Sequence, residues 1–229
     1  MKQIFVTIAF CLAIIFIALM MCCNDGSDSH QDSKALCSEP VKEPISGITV
    51  YSGCQPPYTK DALGVHNIHL INNSHAIDVS WDELRAFLVE DNTNKETYSE
   101  EEACGEFAEK VHNNAESNGI KAAIAVINLE STAPHALNVF DTIDKGLVYV
   151  DCTGPESRTE MSYRQWKYEK KHSNMYDKVA YVAIGKELGF ISIGSNPPFV
   201  YDLYEWRQNN SASIIWESIG IVQSVEIYW

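Results

Sequence analysis

The sequence predicts an α+β domain in which a helix bearing Cys104 packs on an antiparallel sheet. Four local patterns lead there. Ser99-Glu-Glu-Glu102 is a capping box, and it opens a helix whose apolar stripe runs through Cys104, Phe107 or Ala108, Val111 and Ala115. Asn118-Gly119 stops that helix, because Gly readily takes the left-handed conformation of a C-cap. Ile120 to Leu129 then holds the run Ala-Ala-Ile-Ala-Val-Ile of a buried central strand. Two more apolar runs, 135–141 and 146–152, flank the turn formers Asp141-Thr-Ile-Asp-Lys-Gly146 and read as the arms of a hairpin.

The remaining elements follow in order. Ile4 to Cys23 is apolar and uncharged, preceded only by Lys2. Its length of about 20 residues suits a helix crossing a bilayer core of ~30 Å, whereas a cleaved secretory core is usually shorter. Residues 1–23 are expected to be a transmembrane signal-anchor or, from the loose likeness of Leu19-Met-Met-Cys22 to a bacterial lipobox, a lipoprotein signal. Lys2 on one side and the acidic stretch on the other place the domain outside the cytoplasm. Polar residues 24–40 form a flexible tether. Residues 41–229 form the extracytoplasmic domain, with its core at 80–155 and a C-terminal extension at 156–229.

Within that domain, 45–58 reads as a short strand with a turn, and 63–77 as strand and loop. Ser80-Trp-Asp-Glu83 is a second capping box, opening a helix to about Glu90. Arg158 to His172 has the composition of a polar, basic helix. Residues 178–185 and 188–194 read as a hairpin, and Phe199 to Trp206 as part of a further helix. Ile221 to Trp229 should close the sheet.

A net charge of −14 argues against nucleic acid, whose phosphates demand a basic surface. The charge is uneven. Between Ser80 and Lys110 ten acidic residues face three basic ones, and Arg158 to Lys178 reverses the sign with six basic against three acidic. Both stretches read as solvated helix faces. The alternative for the first is an acidic rim beside Cys104 that favours a basic or neutral partner. His66, His69 and His75 lack the spacing and interleaved ligands of a metal site, so neither metal nor diffusible cofactor is expected.

Cys104, His135 and Asp151 carry the chemistry. The turn at 141–146 implies a register within one residue of that which sets His135 opposite Asp151, where cross-strand side chains are ~5 Å apart. An imidazole held by a carboxylate beside a thiol lowers the thiol's pKa and makes it a nucleophile. The backbone N–H of Cys104 is one oxyanion donor by position. Gln55, Trp81 and Tyr98 are candidates for the second, with Tyr98 favoured by its offset of six residues. Cys152, next to Asp151 on a strand, should face the opposite way as a small core residue. Cys37 and Cys54 are placed to close a small disulfide loop in an oxidising exterior.

The stretches Ala103-Cys104-Gly-Glu-Phe-Ala108, Asn118-Gly-Ile-Lys-Ala122, His135-Ala-Leu-Asn138 and Val150-Asp-Cys-Thr153 stand in an order that resembles the transglutaminase-like superfamily of papain-fold cysteine enzymes. The resemblance covers residues 80 to 155. Leu137 stands where an aromatic is usual, and Cys152 where Pro often follows the Asp. What the resemblance implies is a papain-like core and a Cys104-His135-Asp151 triad acting on a peptide or protein amide, as peptidase, transglutaminase or amidase. The competing expectation is a catalytically inactive surface module that binds a peptide or an envelope polymer. Oligomeric state is not legible.

Overall fold

The computed structural model describes residues 41–42, 47–56, 59–60, 65–96, 104–130, 132–154, 176–199, 203–210 and 217–229. All of these fall within one compact unit, Leu36–Trp229. The segment expected in the membrane, the tether, Tyr98, the Ser99 capping box and the helix expected over 158–172 lie outside the described residues. No helix among the described residues is long and apolar enough to cross a membrane.

The elements in chain order are β1 (Val41–Lys42), β2 (Ile48–Tyr51), β3 (Thr59–Lys60), β4 (Val65–His66), α1 (Trp81–Glu90), α2 (Cys104–Ser117), β5 (Ala123–Leu129), β6 (His135–Thr142), β7 (Gly146–Asp151), β8 (Lys178–Tyr181), β9 (Glu187–Ser192), α3 (Leu203–Asn210) and β10 (Glu217–Tyr228). The class is mixed α+β. The main sheet has eight strands in the order β1-β2-β10-β5-β6-β7-β8-β9, and β9 pairs back onto β10. That last pairing closes strands β5 to β10 into a six-stranded antiparallel barrel. β10 makes the closure possible by length. Its first residues pair with β9 at Glu217↔Phe190, its last with β5 on one side and, in parallel, with β2 on the other. Register shifts at 218–221 and 222–224 bend it between these partners.

Alternation along each strand sorts the apolar residues into two layers. Ala123, Ala125, Ile127, Leu137, Val139, Leu188, Phe190, Val225 and Ile227 fill the barrel. Phe140, Val148, Val150 and Cys152 point outward and meet Trp81, Leu84 and Leu88 of α1 and Val111 and Ala115 of α2. Each fully buried Leu or Val in these layers contributes on the order of 1.5–3 kcal/mol. Helix α1 starts where its capping box predicts: the Ser80 side chain accepts from Glu83 N–H, and the Glu83 carboxylate accepts from Ser80 N–H. Helix α2 stops at Gly119, whose φ is +77°.

The 135–151 hairpin is present with a register different from the expected one. The strands run on to Thr142 and Gly146, whose φ of +69° completes a three-residue turn. The pairs are Asn138↔Val150, Val139↔Tyr149 and Phe140↔Val148. This frame sets Asp151 level with Leu137, two residues from His135 but on the same face of the sheet. The expected strand at 221–229 is longer than its apolar run, starting at Glu217.

Candidate active site

Cys104 is the first residue of α2, a half-buried free thiol. Two attachments fix the helix over β6. The Asn138 side chain donates to Ala108 O at 2.8 Å, and Phe107, Ala108 and Val111 are buried. The ladder between β6 and β7 ends at Asn138↔Val150. Beyond that point the Ala136 N–H donates to Cys104 Sγ at 3.4 Å.

Strand alternation alone would keep His135 from the thiol. Its side chain belongs to the face that lines the barrel, whereas α2 lies on the outer face. The two meet because both sit where β6 and β7 part, at the barrel's mouth. There His135 Nε2 lies 3.2 Å from Asp151 Oδ2, the ring packs edge-to-face on Phe190 at 5.8 Å, and the ring and the Cys104 thiol are near enough to shift each other's ionisation. With Nε2 held by Asp151, Nδ1 is the nitrogen left for the thiol. Asp151 is only 7% exposed, and its other oxygen accepts the Thr153 N–H at 2.8 Å. A diagonal pair on neighbouring strands is about 7–8 Å apart at the backbone, a gap the imidazole spans.

Charge follows from these contacts. Burial pushes the Cys104 thiol up, but the hydrogen bond and charge of His135 and the Ala136 N–H outweigh it, holding the thiol below its ordinary value. Burial likewise opposes charge on His135, yet Asp151 and then Cys104 push its pKa up to about 10. Burial would raise Asp151; His135 and Thr153 hold it below the usual carboxylate range. All three shifts favour a thiolate–imidazolium pair backed by a carboxylate at neutral pH.

The oxyanion candidates separate. Gln55 is committed elsewhere: its amide nitrogen donates to Leu70 O at 3.2 Å, and its oxygen accepts Leu70 N–H at 2.6 Å. Trp81 is at the wrong end of the hairpin, where its N–H donates to Asp144 at the turn. Tyr98 lies outside the described residues. Leu137 and Cys152, the two departures from the family pattern, both point away from the thiol, one into the barrel and the other into the layer beneath α1 and α2. Cys54 is disulfide-bonded, and since Cys104 and Cys152 are free, its partner lies outside the described residues.

The sequence reading missed the residues that finish the mouth. Phe190 on β9 packs on the His135 ring, and Lys178 on β8 stands opposite Asp151 in the ladder while its ammonium pairs with Glu217 at 2.6 Å. No local pattern reports such long-range pairings. A separate cleft of about 580 Å³, lined by Lys145, Tyr149, Tyr181, Lys186, Phe199 and Tyr204 among others, contains none of the three site residues. It runs from the β6–β7 turn along β7 and β8 as far as Tyr149 and Val179. Comparison of the chain with family models, with curated proteins and with solved structures found no match.

Proposed function

We propose that the domain is a thiol-dependent acyl-transfer enzyme acting on peptide or protein amides, built on the transglutaminase-like, papain-like plan that its motifs resemble. The observation that carries this is the contact between His135 Nε2 and Asp151 at 3.2 Å, on an imidazole that holds the Cys104 thiol below its ordinary pKa. In the proposed reaction the Cys104 thiolate attacks the amide carbon, and the carbonyl π pair moves to oxygen. The Cys104 N–H is placed to receive that oxyanion, with Tyr98 the proposed second donor. Collapse breaks the C–N bond as the His135 imidazolium gives its proton to the leaving amine, leaving a thioester. Water or a second amine then attacks the thioester, losing its proton to neutral His135, and the thiolate departs. Asp151 holds the ring orientation throughout. No cofactor enters these steps.

The test is turnover and thioester trapping on a panel of peptide amide and thioester probes with full-length protein. Cys104→Ala should abolish both while leaving the fold intact, since a small apolar residue is tolerated on that helix face. If wild type and Cys104→Ala process every probe alike, the second reading stands, a binding module with an inherited triad. The observation favouring that reading is a 580 Å³ cleft whose lining includes none of the three triad residues. Residues 1–23 are proposed to hold the domain at a membrane, outside the cytoplasm. Fractionation tests this, and loss of palmitate in Cys22→Ser would mark a lipoprotein rather than a spanning anchor.

A further inference from the structure

The outer face of the sheet continues past Cys104 onto β5 and β10, where Cys54, Ile68 and Leu70 pack against part of it. Val126 pairs with Ala136, whose N–H bonds the thiol, and Glu226 pairs with Val126 on the next strand. Glu226 therefore stands two strands from the thiol's anchor, about 10 Å across the sheet. The same face carries Asn128, Tyr228 and, on β2, Tyr51. Tyr228 and Tyr51 stack at 4.7 Å with planes 8° apart. Both Tyr51 and Cys104 pack against the buried cluster that contains Tyr228 and Ala136, so aromatic pair and thiol share one surface.

The Glu226 carboxylate is held from two sides by neutral donors. The Tyr228 hydroxyl donates to Oε2 at 2.6 Å, and the Asn128 amide reaches Oε1 at 3.4 Å. Among the described residues no cation pairs with it. Burial within the pair and the nearby Glu226 charge hold the Tyr228 hydroxyl protonated, so it remains a donor. A half-buried carboxylate fixed in place, at the edge of a stacked pair in which Tyr228 is buried and Tyr51 half-buried, offers charge and hydrogen-bond acceptance to a cation.

We propose that Glu226, with Tyr228, Tyr51 and Asn128, forms a subsite that receives a lysine or arginine side chain of the peptide whose neighbouring carbonyl is presented to Cys104. It rests on the acyl-transfer reading only for the direction in which substrate lies. An extended peptide advances about 3.4 Å per residue, so a long cationic side chain one or two residues from the acylating carbonyl covers the 10 Å. The domain's acidic stretch before α2 would draw such peptides in at long range, but only Glu226 fixes which residue is read.

The experiment uses three thiol-directed peptide vinyl sulfones, identical except for Arg, its neutral isostere citrulline, or Glu at the position next to the warhead residue. Labelling rates of Cys104 in the full chain are compared with the iodoacetamide rate at the same residue. The Arg probe is expected to react at least fivefold faster than citrulline, and the Glu probe slower than both. Glu226→Gln keeps the side chain's shape and should bring the Arg/citrulline ratio near one, with the iodoacetamide rate within twofold of wild type. Glu90→Gln, the same charge change at the exposed end of α1, should leave the ratio high. A ratio near one in wild type, or a ratio unaltered by Glu226→Gln, overturns the subsite. An iodoacetamide rate no faster than that of a model thiol would instead count against the acyl-transfer reading, and the probe ratio would still decide the subsite.

Discussion

Cys104 and Cys152 each feel the charge of a buried aspartate, and they are driven to opposite ionisation states. Cys104 has His135 between itself and Asp151, and both acids are held below their ordinary values. Cys152 has Asp177 and the Asn94 amide for company and no imidazole. Burial pushes its thiol well up, and burial pushes the Asp177 carboxyl up to about 7. Asp177 is 2% exposed, and one of its oxygens has no partner among the described residues. Burial is common to both sites, so it cannot explain the difference. The imidazole does: one cationic group shared by two acids reverses the sign that a dry environment imposes.

The largest effect that would sharpen this comparison is on stability. The Asp177 carboxyl ionises near 3.8 unfolded and near 7 folded. The folded state thus holds a proton that the unfolded chain has released, and stability is full below pH 3.8 and falls as pH rises through 7. Asp177→Asn removes that slope. Urea unfolding at pH 8 should find the variant more stable by roughly 2–4 kcal/mol, with the advantage gone by pH 4. A variant less stable at pH 8 would mean that the carboxylate is satisfied in the folded protein.

Next comes the thiol itself. His135→Ala leaves Cys104 with burial and no cation, so its alkylation at pH 7 should slow about thirtyfold, the thiolate fraction falling to a few per cent. Iodoacetamide kinetics read by peptide mass spectrometry would show it, with Cys152 unlabelled in the folded chain of both proteins. Asp151→Asn is a gentler cut, since the amide keeps a hydrogen bond but not the charge that favours imidazolium. The pH at half-maximal alkylation should rise by about one unit, a severalfold loss of rate at neutral pH. The smallest effect is expected for Cys152→Ala. It should cost about 1 kcal/mol of stability and leave the Cys104 alkylation rate within twofold.

These two sites also mark what could be read from sequence. Cys104, His135 and Asp151 were legible because each stands at a boundary with its own local signal: a helix start, a strand start and a strand end. The turn formers at 141–146 gave the hairpin. They did not give its frame, because Gly146 at positive φ and a Thr142 hydroxyl that donates to Gly146 O carry the pairing one step further. Asp177 was not legible as a perturbed acid, since its partners Asn94 and Cys152 both lie far earlier in the chain. The same holds for Phe190 against His135. The start of β10 went unread for a related reason: Glu217-Ser-Ile-Gly has no apolar alternation, and it is a strand only because β9 is there to pair with it.

β10 bears on how the chain reaches this state. It pairs with β2, β5 and β9, so no order of folding completes the barrel until the ribosome has made residues 217–228. Until then β5 and β9 are open edges carrying some of the most apolar sequence in the domain, a state prone to pairing with the wrong chain. Joining β2 to β10 also means closing a loop of more than 170 residues, an entropic cost that slows such non-local folding.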